Sequence, residues 1–215
     1  PDLVLEAFRA RLSRADAGEA LRTLADVTTP GLARRVAAVV REAVQRCPET
    51  TADVAAYVDE RLDDGPSVRA VLFPLVTGLL DGGTEQVRVA LAAVLATPGT
   101  PDSRTLRREL LDFLLANEHA PAVLDALLHG AVRRCGDRPG EGLRDLVHHI
   151  GMLLVRTQDG AARFDRGLVD LGRRVPGFAA QVAAWLTDTP QDWAAVVGPS
   201  TRRMIENLAG VRVPA

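Results

Sequence analysis

Residues 72–95 read LFPLVTGLLDGGTEQVRVALAAVL. An apolar run containing Pro74 stops at Asp81-Gly82-Gly83 and restarts after Thr84. Glycine suits the end of a helix, and threonine suits the start of the next. Beyond the turn, Val87, Ala90, Leu91, Val94 and Leu95 recur at i, i+3, i+4, i+7 and i+8. That spacing puts them on one helix face. The stretch therefore reads as two helices joined by a tight turn, each with one face to bury.

The same spacing recurs outward from this stretch. Val36, Val39, Val40, Ala43, Val44 and Cys47 follow it, and so do Leu124, Leu127, Leu128, Ala131, Val132 and Cys135. No segment alternates with period two, and β-branched and aromatic residues do not cluster as strands require. The expected class is all-α. Proline, glycine and capping residues divide the chain into helices near 2–14, 17–27, 30–47, 51–63, 66–81, 84–96, 103–117, 120–135, 140–156, 160–174, 177–187, 190–197 and 200–210. Thr29, Thr50 or Thr51, Thr84, and Ser200 or Thr201 are the expected N-caps. Taken in pairs, the helices start near 2, 30, 66, 103, 140 and 177, a period of about 36–37 residues after the first. A lone hairpin cannot bury its apolar face, so hairpins of one period are expected to stack. The expected architecture is an α-α superhelix of about six hairpins, with a compact all-α bundle as the alternative.

Residues 72–95 resemble a HEAT repeat, the two-helix unit of the armadillo-like solenoids. The resemblance rests on Pro74 in the first helix, Asp81 in the turn, Val87-Arg88 opening the second helix, and Ala90, Leu91 and Leu95 beyond. It implies a scaffold or binding surface. Pro74 removes one helical hydrogen bond and is expected to bend its helix. Arg88 is expected to pair with Asp81 across the turn. Residues 110–134 keep the leucine ladder without the kink proline or the Val-Arg pair, and residues 32–62 keep the amphipathic pattern. HEAT-like repeats are thus expected over 1–175. Residues 176–215, with both tryptophans, are expected to form divergent capping helices of the same domain.

Composition narrows the function. All 26 basic residues are arginine, with no lysine. This excludes Schiff-base chemistry, a Walker-type phosphate-binding lysine and a kinase-type catalytic lysine. The 33 alanines and two isoleucines suggest a gene of high G+C content, as in a high-G+C bacterium. Hydrophobic residues make up 47% and aromatics 4%, so the core is expected to be Leu, Val and Ala. A net charge of −2 gives no global field toward nucleic acid or anionic lipid. Cys47 and Cys135 on apolar stripes read as packed thiols in a reducing, cytoplasmic setting. The chain begins at Pro1 rather than Met, as an excised domain of a longer protein would.

No catalytic, cofactor or metal site is expected. Asp125/His129 and Asp145/His149 stand four residues apart, but a helical zinc site needs a third ligand, and none is apparent. No GxGxxG loop or Gly-x-Ser-x-Gly elbow occurs. Asp112, Glu118 and Asp125 do not single out an acid–base pair. The arginines are the least evenly distributed feature. Arg104, Arg107 and Arg108 lie on one side of a predicted helix, and Arg133, Arg134 and Arg138 end the next. An antiparallel hairpin would join them into one basic patch able to fork carboxylates or phosphates. The expected role is a non-catalytic protein-interaction module whose partner is another protein or an adjacent domain bearing an acidic segment. One alternative is a ligand-responsive regulator with an N-terminal helix-turn-helix, Arg34, Arg35 and Arg41 lying on its recognition helix. A second is a helical-repeat nucleic-acid-acting enzyme such as a DNA-alkylation glycosylase, which would need a tryptophan in its groove.

Overall fold

The computed structural model describes residues 2–12, 17–26, 28–97, 100–116, 118, 120–134 and 141–210. Among them the chain forms thirteen α-helices, one 3-10 turn and no strand. In order these are α1 (Asp2–Leu12), α2 (Ala17–Asp26), α3 (Ala33–Arg46), α4 (Thr50–Leu62), α5 (Arg69–Leu80), α6 (Glu85–Leu95) and α7 (Pro101–Ala116). There follow α8 (Pro121–Arg134), α9 (Glu141–Leu154), α10 (Gly160–Arg174), α11 (Phe178–Asp188), α12 (Pro190–Trp193) and α13 (Pro199–Ala209). Every helix expected from the apolar spacing is present, with ends shifted by no more than about four residues.

The shifts have local causes. Pro30-Gly31 forms a turn in which the Thr29 carbonyl accepts from Leu32 and Ala33, so α3 begins three residues late and has no side-chain cap. Thr50 and Thr51 lie buried inside α4 rather than capping it. Pro66–Val68 is a 3-10 turn leading into α5. Thr84 does cap α6, its hydroxyl accepting from the Val87 amide at 3.3 Å. Thr84→Ala is therefore expected to cost about 1 kcal/mol, read as a lower melting temperature by circular dichroism.

The helices gather into two compact units, Pro1–Leu127 and Leu128–Ala215. In the first unit, helices meet chain neighbours, as α1 meets α2 and α6 meets α7, and they also pack on the helix next but one. α1, α3, α5 and α7 pack successively against one another, and so do α2, α4 and α6. Leu, Val and Ala fill the space between, with Val40, Val58, Leu62, Val76, Leu91 and Leu110 fully enclosed. Gly78 sets the α3–α5 distance, since a Cβ there would come within 2.9 Å of the Ala37 Cβ. α5 continues through Pro74. The Thr77 hydroxyl donates to the Phe73 carbonyl at 2.8 Å just beyond it.

In the second unit, α10 packs against α9, α11 and α13, and α11 also meets α12 and α13. This core is more aromatic. Phe164, Phe178 and Trp193 are fully buried. Trp193 stacks on Trp185 at 5.3 Å, and Trp185 meets Phe178 edge-on at 6.0 Å. Both tryptophans thus belong to one interior cluster. Among the described residues no helix is long and apolar enough to cross a membrane.

Candidate functional site

Arg107 does not belong to a surface patch. It is 2% exposed, whereas Arg104 is exposed and Arg108 half-buried. Its Nε donates to the Ser103 hydroxyl at 3.1 Å, and Nη1 donates to the Val94 carbonyl at 3.0 Å. Nη2 reaches Asp63 at 3.0 Å, and Nη1 lies 3.5 Å from Asp59. One guanidinium therefore ties α4 and the end of α6 to α7. Burial opposes ionisation of Asp63, but hydrogen bonds from Arg107 and Ser103 outweigh it and hold its pKa below the ordinary value. The sequence carried a signal for this. Ser103, Arg107, Leu110, Leu111 and Leu114 form one i, i+4, i+7, i+8, i+11 stripe, and Arg107 sits in its apolar face. Arg133 and Arg134 close α8 and lie in the other unit, with side chains outside the described residues, as is all of Arg138.

Arg41 and Arg88 are also committed internally. Arg41 donates to the backbone carbonyls of Gly78 and Asp81. It thereby satisfies the C-terminal end of α5, where a cation is favoured. This removes Arg41 from the outward face that a recognition helix would need, and α3 is flanked by α1 and α5. Arg88 does not pair with Asp81. Its Nε meets Glu118 at 2.7 Å and its Nη1 donates to the Gly83 carbonyl at 2.7 Å. Glu118 is buried and also accepts from the Ala120 amide at 2.9 Å. Val87, its neighbour in sequence, is a core residue. A cleft of about 300 Å³ opens above this pair, lined by Leu80, Asp81, Phe113 and Leu114 among others.

The second unit holds a site that the sequence did not disclose. Asp165 on α10 is 6% exposed and caps α13 from outside that helix. It accepts from the Ser200 amide at 3.1 Å, the Thr201 amide at 2.9 Å and the Thr201 hydroxyl at 2.6 Å. Burial raises its pKa, but these donors outweigh it and hold the carboxylate below its ordinary value. Gly198 makes room for it: a Cβ there would lie 2.5 Å from the Asp165 Cγ. The expected capping residues, Ser200 and Thr201, are donors to the cap rather than the cap itself.

The remaining polar candidates are spread apart. His129 lies 3.3 Å from Asp170, and His148 meets the Asp192 carbonyl at 2.9 Å beside Trp193. His119 and Cys135 lie outside the described residues. Cys47 is half-buried at the end of α3 rather than packed in the core. Among the described residues no group of three or more His, Cys, Asp or Glu could hold a metal ion. Trp185 and Trp193, at 8% and 1% exposed, offer no face on which a nucleobase could stack. No family model matches the chain, and no solved structure matches it.

Proposed function

We propose that this chain is a non-catalytic protein-interaction module of HEAT-like hairpins. The observation that carries this reading is the alternate packing of the first unit, α1–α3–α5–α7 beside α2–α4–α6. Hairpins joined in this way add in a row, and each row leaves an outer face for a partner. Pro74 and the capped start of α6 fit the repeat at its best-matching hairpin. The partner in this reading is a protein or adjacent domain whose acidic groups meet Arg104, with Arg108 beside it. The arginines of α2 and α4 are less free: Arg22 lies 3.6 Å from Glu60, and Arg61 pairs with Asp26 and Asp64.

The test is to capture partners from the native cell, repurify each one and titrate it by calorimetry. The expected result is a defined stoichiometry and slower hydrogen exchange on the outer faces of the first unit. Binding should weaken several-fold on Arg104→Glu. A footprint that avoids the first unit, or small-angle scattering from a closed particle, would reject the module.

A further inference from the structure

The α10–α13 pair closes on a groove that the proposed module does not use. Val169 and Arg173 stand one turn apart on α10, and Arg203, Met204, Asn207 and Leu208 share one face of α13. The space between them is about 470 Å³. Met204, 5% exposed, forms part of the floor. It lies directly against Gly172, where a Cβ would collide with its Sδ. The two helices therefore meet almost backbone to side chain, and the Asp165 cap pins one end of α13. The groove is fixed rather than open to collapse. Leu208 stands 58% exposed on its wall.

The charges are one-sided. Arg173 and Arg203 are exposed, one on each helix, and no carboxylate lines the groove. Neither makes an ion pair or hydrogen bond with a described residue. Arg174, next in sequence, bonds Asp170 at 2.9 Å. Two unengaged guanidiniums on either side of an apolar trough call for an apolar group flanked by anions. The apolar floor lies between the helices, where a side chain can enter but a flat lipid surface reaches little beyond the rim. Glu206, exposed on α13, also disfavours an anionic membrane.

We propose that this groove docks an acidic amphipathic segment of a partner protein. One apolar side chain seats on Met204 and Leu208, and carboxylates on either side are forked by Arg173 and Arg203. This site stands whether or not the first unit is an interaction stack.

The experiment selects binders to the purified full chain from a random displayed peptide library. The selected peptides are then titrated against four proteins: wild type, Arg173→Glu/Arg203→Glu, Leu208→Asp and the control Arg104→Glu. All four substituted side chains are exposed, and circular dichroism melts check that the variants fold. The expected peptides carry a large apolar residue with Asp or Glu one turn away on each side. They should bind either variant at least about tenfold more weakly and bind Arg104→Glu normally. The proposal is overturned if no peptide is selected or if binders ignore both variants. Two other occupants would also overturn it. One is arginine-dependent retention on phosphatidylglycerol–phosphatidylcholine vesicles without peptide binding. The other is a dimer in sedimentation that Leu208→Asp dissociates.

Discussion

Arg107→Met is expected to lower the stability of the first unit by about 2–3 kcal/mol. Methionine nearly fills the volume but makes none of the polar contacts. The Ser103 hydroxyl and the Val94 carbonyl lose a charged donor, and Asp63 loses its partner. Removing one member of a buried ion pair costs more than removing both, because the other is left uncompensated. Asp63 softens the loss, since its side chain is 45% exposed and can turn to water. Arg107→Lys is expected to recover only part of it. A single ammonium cannot reach Ser103, Val94 and Asp63 together as the planar fork does. Urea titration followed by hydrogen exchange in α4, α6 and α7 checks this. Wild-type exchange rates in Arg107→Met would mean that the buried hub adds no net stability. The same substitution cannot serve to probe partner binding, because it acts on the fold.

Asp165→Ala is expected to release α13 from α10 at a cost of about 2–4 kcal/mol. Two backbone amides and one hydroxyl lose a charged acceptor at once. Gly198→Ala strikes the same contact from the other side and should approach the same loss, because the added methyl group occupies the place of the carboxylate. The two tryptophans give the second unit its own fluorescence signal, while Tyr57 is in the first. The pH dependence has a definite sign. The folded pKa of Asp165 lies below its unfolded value of about 3.9, so its contribution is fully present above that value. It is lost as pH falls through the folded pKa. Asp165→Asn should therefore lower stability at neutral pH and flatten the acid limb of the tryptophan-monitored curve. An unchanged acid limb would show that the carboxylate is not what holds α13.

Helices were legible because their causes are local. A stripe such as Val36–Val44, a turn such as Gly82-Gly83 and a cap such as Thr84 each act within about two turns of helix. What holds the helices to one another is not local. Arg41 reaches carbonyls 37 and 40 residues away, and Asp165 reaches amides 35 and 36 residues away. No spacing rule finds such partners. Arg107 is different, since its place on the Leu110–Leu111–Leu114 face marks it as inward. Its charge groups it with Arg104 and Arg108, but the stripe sets it on a different face from both. The α10–α13 groove depends on Gly172 facing Met204, a contact between positions 32 residues apart in sequence and outside any motif.

Gly198 has φ −84° and ψ 176°, angles that any residue adopts. A survey of backbone torsions would pass it over, yet the position has no room for a side chain. Its constraint is one of occupancy shared with residue 165. Across descendants of this sequence the two positions should drift together or not at all. A residue larger than glycine at 198 should appear with one smaller than aspartate at 165, and such a lineage must cap α13 by some other group.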